Sequence, residues 1–183
     1  MQRLAVRRLA WWVIVFGCME LLAQSAIHYR KITFPIGSGG DEIKTATSTR
    51  FIHDVPAIAT ALAWMNTNVS PGATLAVLPE GAMVNYLSRR VNPTGYPVWM
   101  PPELLVFGQT NMVAAFERHS PDYVMLIHSE NGPLVYQVKY FGQQPEYGMA
   151  LMQWIRKNYG VVFQEGAGPL QTTNFGLQIL KRR

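Results

Sequence analysis

The sequence is poor in the residue types and spacings that most often carry chemistry. A single cysteine, Cys18, excludes an internal disulfide and any cysteine-based zinc finger. The four histidines, His28, His53, His119 and His128, never fall at the H-x-x-x-H or H-E-x-x-H spacing that sets two imidazoles on one helix face. No metal site is therefore expected. There is no G-x-S-x-G nucleophile elbow and no P-loop, so neither a serine hydrolase nor a phosphate-cradling cofactor site is supported. No cofactor is implied, and there is no internal repeat. Charge is also scarce, 15% of residues against 49% hydrophobic, which excludes a charge-rich disordered chain.

The formal net charge of +5 lies at the ends of the chain. Residues 1–31 carry a net +4, the tail Lys181-Arg182-Arg183 adds +3, and residues 32–180 carry −2. A nucleic-acid partner requires basic charge clustered on the folded surface, and the body has none to spare.

What the sequence does have is one long apolar run. Leu9 to Ile27 is nineteen residues, about the length that crosses ~30 Å of hydrocarbon as a helix. Arg3, Arg7 and Arg8 precede it, which places the N-terminus inside and the body outside. Glu20 opposes insertion by roughly 2.5–3.5 kcal/mol, against about 3–4 kcal/mol returned by the eight Leu, Ile, Val and Phe residues. That near balance points to a helix meant for a bundle whose neighbours shield Glu20. Two other readings use the same run: a signal peptide cut at Ala23-Gln24-Ser25, and a lipoprotein signal ending at Cys18. All three place the body across the membrane.

Ile36 to Asp41 reads as a linker by its small residues. Beyond it, Phe51, Val55, Ile58, Leu62 and Met65 recur at helical spacing, with Asp54 as N-cap. Thr74–Leu78 and Tyr123–Ile127 are apolar runs fit for buried strands, with a short helix at Ala82–Arg90 between them. Val91–Gly108 holds Pro93, Pro97, Pro101 and Pro102 and reads as a stiffened loop. Thr110 to His119 suits a helix, as does the segment bearing Tyr147, Leu151, Trp154 and Ile155. Val161–Phe163 and Gly176–Leu180 close the chain as an antiparallel pair. The expectation is an α/β fold, a three-layer sandwich with a mostly parallel sheet and a terminal antiparallel pair, preceded by one transmembrane helix. Its divisions are 1–30 as anchor, 31–47 as linker and 48–183 as extracytoplasmic domain.

Candidate site residues come from position. In open α/β sheets ligands bind beyond the C-terminal ends of the strands. Glu80 follows the first strand and His128 the second, while Arg89 and Arg90 lie one short helix later. An acid, an imidazole and two guanidinium groups there would suit sugar hydroxyls or a phosphate. The same residues equally fit an ion-paired loop anchor. Asp41-Glu42 reads as an acidic, solvated helix start, although paired acids outside a membrane helix can also bind metal or act as a base.

A family pattern is legible in Pro79-Glu80-Gly81, Asn85-Tyr86-Leu87, Arg89-Arg90, Asn92-Pro93-Thr94, Met100-Pro101-Pro102-Glu103 and Phe107-Gly108. It continues through Pro121-Asp122-Tyr123-Val124, Tyr140-Phe141-Gly142, Tyr147-Gly148, Asn158-Tyr159 and Phe175-Gly176. In these pieces the chain resembles the C-terminal extracytoplasmic region of bacterial multi-spanning membrane glycosyltransferases, the superfamily that uses polyprenyl-phosphate sugars. The resemblance covers roughly residues 30–183, and the preceding helix would correspond to the last membrane span. Enzymes of that family carry their catalytic acid in an early external loop, which the matched region lacks. The resemblance thus implies a periplasmic, single-pass module without catalysis of its own, binding acceptor or bracing a catalytic membrane part. Its partners would be the membrane, a multi-spanning membrane protein, and a glycan or lipid-linked sugar. The alternatives it leaves are a subunit of a split glycosyltransferase and a purely structural interaction module.

Overall fold

The computed structural model describes residues 2–47, 54–130 and 139–183. Phe51 and His53 lie outside them.

The N-terminal run forms one helix, α1 (Gln2–Tyr29), exposed along its length from Val6. Within it Val6–Tyr29, 24 residues of mean hydropathy 1.5, is long and apolar enough to cross a membrane. The chain leaves α1 through Arg30-Lys31 and enters a hairpin, β1 (Phe34–Ile36) paired antiparallel with β2 (Ile43–Thr45). The expected linker thus contains ordered structure. Its glycines serve a tight turn: Gly37 has φ +101°, and a Cβ there would stand 2.8 Å from the Asp41 carbonyl oxygen. Ile36 is buried in the domain core, with Phe34 and Ile43 packed beside it.

α2 (Val55–Asn68) starts as its sequence requires, with the Asp54 carboxylate accepting from the Ala57 N–H at 3.0 Å and Pro56 in the first turn. The remaining order is β3 (Leu75–Leu78), α3 (Ala82–Ser88), α4 (Pro101–Phe107), α5 (Gln109–Arg118), β4 (Tyr123–Ile127), α6 (Met149–Asn158), β5 (Tyr159–Gly166) and β6 (Gly176–Arg182). Both β3 and β4 are buried at every position, which is why they read as continuous apolar runs rather than alternating ones.

The four strands run in the order β3-β4-β6-β5. Only β3 and β4 are parallel; β4–β6 and β6–β5 are antiparallel. The sheet is therefore mixed rather than mostly parallel. The last strand does not add at the edge but inserts between β4 and β5, bringing its antiparallel partner with it. Alternate residues feed two cores. Leu75, Val77, Met125 and Ile179 meet α2 and α3 on one face, while Ala76, Val124, Leu126 and Leu180 meet α4, α5 and α6 on the other.

The proline-rich segment is not all loop. Pro101 and Pro102 open α4, where the missing N–H costs nothing because the first helical N–H groups have no partner in the helix. Upstream, Val91 to Trp99 covers the outer edge of β3. The Leu75 N–H donates to the Val91 carbonyl at 3.0 Å, and the Trp99 N–H donates to the Pro79 carbonyl at 2.7 Å. A proline-bearing cover satisfies the edge without offering a new one. Trp99 is fully buried there, its ring edge-on to Phe116 and Phe141 at 5.9 and 6.4 Å.

One end of the sheet is stapled by Asp122. Its carboxylate accepts from both the Thr74 N–H (2.9 Å) and the Thr74 hydroxyl (2.8 Å), while its own N–H donates to Thr74 Oγ1 at 2.8 Å. Arg182 of β6 adds an ion pair at 3.6 Å. The Thr74 backbone N–H, then its hydroxyl, hold the Asp122 carboxyl below its ordinary 3.8. A depressed pKa stabilises the fold above the unfolded value and loses that contribution as pH falls through the folded one. Acid titration of the folded domain, followed by circular dichroism, is expected to show stability falling below about pH 4. Asp122→Asn should lower stability at pH 7 and flatten that acid limb.

Candidate functional site

The four candidate residues occupy four separate places. Glu80 is exposed, in a β-bridge with Val98 on the segment that covers β3. Arg89 ends α3 in the left-handed region, at φ 55°. That turn sends Arg89 and Arg90 to opposite sides. Arg89 reaches out to the hairpin, ion-paired with Asp41, its Nε donating to Asp41 Oδ2 at 2.9 Å and its guanidinium 4.4 Å from the centre of the Tyr86 ring. The Tyr86 hydroxyl donates to the other Asp41 oxygen at 3.2 Å. The Arg89 hydrogen bond, with help from Tyr86, holds the Asp41 carboxyl below its usual range. Asp41, expected as a solvated acid, is instead the pin that joins the hairpin to α3.

Arg90 turns inward and is buried. Its Nη2 donates to the carbonyls of Met65 (3.0 Å) and Val69 (2.6 Å), and its Nη1 to that of Ser88 (2.8 Å). These carbonyls include the C-terminal end of α2, where a helix leaves acceptors unsatisfied and its dipole favours a cation. Arg90 is thus a clamp between α2 and α3 made on backbone carbonyls, and the ion pair expected of a loop anchor is made by Arg89, with Asp41 rather than Glu80.

His128 lies just past β4, 1% exposed, and its backbone N–H donates to the Gly176 carbonyl at 2.9 Å. Its Nε2 stands 3.4 Å from Glu130 Oε1, which accepts from the Tyr140 hydroxyl at 3.1 Å, while Lys139 Nζ is 3.5 Å from the other oxygen. Burial raises the Glu130 carboxyl, but the Tyr140 hydroxyl, Lys139 and His128 outweigh it and hold the group below its ordinary value. Glu130 was readable as a neighbour, because residues i and i+2 of an extended chain share a side. Asp41 and Tyr86 had no local signal, since they meet Arg89 only through the tertiary fold.

A cleft among the described residues lies elsewhere in the domain. It is about 250 Å³, between α6, the start of β5 and the loop leading to β6. Leu126, Met152, Ile155, Leu170 and Leu180 form apolar walls, and Arg156 and Arg183 bring two guanidinium groups. Both arginines are exposed, and Arg183 Nη1 donates to the Lys157 carbonyl at 3.1 Å. Tyr159 also lines the cleft, but its hydroxyl donates to the Pro121 carbonyl at 2.6 Å, and burial pushes its phenol up to about 12. Among the described residues lining it there is no carboxylate or imidazole. Such a lining can bind an anion with an apolar portion.

Adjacent arginines with such different surroundings are expected to fail differently. Arg90→Ala strands the Val69 carbonyl, while that of Met65 keeps the Val69 N–H at 3.0 Å, and should cost about 1–3 kcal/mol in a denaturant melt. Arg89→Ala should leave the melting temperature nearly unchanged and speed proteolysis within residues 37–42, because only the exposed hairpin pin is lost. Equal melting temperatures for the two variants would contradict the assignment.

No protein-family model, curated protein or solved structure matches the chain.

Proposed function

We propose that the chain is a membrane-tethered, extracytoplasmic α/β module of a glycosyltransferase-like membrane protein, which binds acceptor or braces a catalytic membrane part and transfers no sugar alone. The observation that carries the reading is the junction between anchor and domain. An unburied apolar helix ends at Tyr29, and five residues later begins a hairpin whose Ile36 is part of the domain core. At ~3.3 Å per residue the connection from helix end to β1 spans at most about 16 Å, so the domain sits against the bilayer surface. The helices on both sheet faces fit the three-layer α/β sandwich expected from the motifs.

The cleft beside α6 suits the substrate class the resemblance implies. A lipid-linked sugar carries phosphate for Arg156 and Arg183 and an apolar portion for the Leu126, Met152 and Leu180 walls.

Two measurements test this. A reporter fused after residue 183 is expected to be active only in its exported form; a cytoplasmic signal there would contradict the orientation set by Arg7 and Arg8. Incubated with a polyprenyl-phosphate sugar and a glycan acceptor, the purified chain should give no transfer. Turnover that disappears in Asp41→Asn would reverse that conclusion and make the Asp41-Glu42 pair a catalytic site.

A further inference from the structure

The membrane helix carries a polar seam. Glu20 and Gln24 lie one turn apart, and the Gln24 amide donates to Glu20 Oε1 at 2.8 Å. Across Val6–Tyr29, 24 residues at 1.5 Å each, the midpoint falls between Gly17 and Cys18. Glu20 is therefore about 4 Å from the bilayer centre and Gln24 about 10 Å from it, both within the hydrocarbon. One Gln24 N–H is used inside the helix. Its second N–H, its carbonyl and the other Glu20 oxygen have no water to turn to at that depth.

The seam has the period of helix pairing. Ala10, Gly17 and Gln24 recur every seven residues, and so do Val13, Glu20 and Ile27, three positions later each time. This is the a/d spacing of a left-handed helix pair, with small residues at two of the three a positions. Trp11, Trp12, Val15, Met19 and Leu22 fall on the opposite side, large and apolar as a lipid-facing surface should be.

We infer that α1 pairs in the membrane with α1 of a second copy of this chain, along the Gly17–Glu20–Gln24 seam. The inference rests on the reading of α1 as an uncleaved membrane span. Two copies insert with the same orientation, so their helices are parallel and every residue meets its own counterpart at the same depth. An amide suits that symmetry because it is donor and acceptor at once. Each Gln24 gives its second N–H to the carbonyl of the other, while Gly17 lets the backbones approach. A single cationic residue on a foreign helix would pair with Glu20 and leave the amide carbonyl unpaired, whereas the second copy pairs the amide.

The test uses the full chain in cell membranes, with Cys18→Ala and one new cysteine at a time. After oxidation, Val13→Cys and Ile27→Cys are expected to give a species of about twice the 20.6 kDa chain. Val15→Cys and Leu22→Cys, on the opposite side, should give several-fold less. Adding Gln24→Leu to Val13→Cys should reduce the dimer several-fold, and Gln24→Asn should retain most of it. Carbonate extraction of the same samples reports insertion separately. A chain in the membrane pellet without position-dependent dimer, or cross-linked only to a different protein, overturns the pairing while leaving the anchor intact. A chain absent from the pellet overturns both.

Discussion

The docking of the Phe34–Thr45 hairpin onto α3 governs how this molecule is arranged. Ile36 is buried beneath it and Asp41 is held by Arg89 and Tyr86. Without those contacts, the stretch from Tyr29 to Asp54 would be a flexible tether whose reach grows with the square root of its length. With them, the free connection shrinks to a few residues between α1 and β1. Under the proposed reading of α1 as a membrane anchor, the domain then has a fixed side toward the bilayer.

The rest of the domain is organised by polar groups that each satisfy several backbone elements. Asp122 ties the starts of β3 and β4 and reaches Arg182 of β6, so a single carboxylate holds one end of three strands. Arg90 does the same for helices, meeting carbonyls from the end of α2 and the end of α3. Arg90 is the buried one of the two, and the carbonyls it meets offset the cost of taking a charge out of water, whereas the Asp122 carboxylate stays about half exposed. In the membrane span proposed for α1, Glu20 and Gln24 would present the same requirement, met by a second helix.

Much of the fold was legible in the sequence because it is locally encoded. The β3 and β4 runs, the Asp54 cap and the closing strand pair all follow from short-range pattern. Strand direction is not local: nothing within Gly176–Arg182 states that it inserts between β4 and β5, so the sheet was expected to be more parallel than it is. Pro101-Pro102 was expected to break structure, yet proline is well placed in the first turn of α4. Arg89 and Arg90 are chemically identical neighbours, and only the left-handed backbone at Arg89 separates a surface pin from a buried clamp. The cleft could not be foreseen, since its walls come from β4, α6, β5 and β6, and its arginines lie 27 positions apart.

The claim that this is an anchored module, rather than a domain released by cleavage, is tested most directly by the mass of the mature chain. Membranes washed with alkaline carbonate should yield the intact 20.6 kDa species by mass spectrometry, with residues 6–29 present. A soluble extracytoplasmic species beginning just after Ser25 would contradict the account, because the same run would then be a signal peptide and the hairpin would tether the domain to nothing.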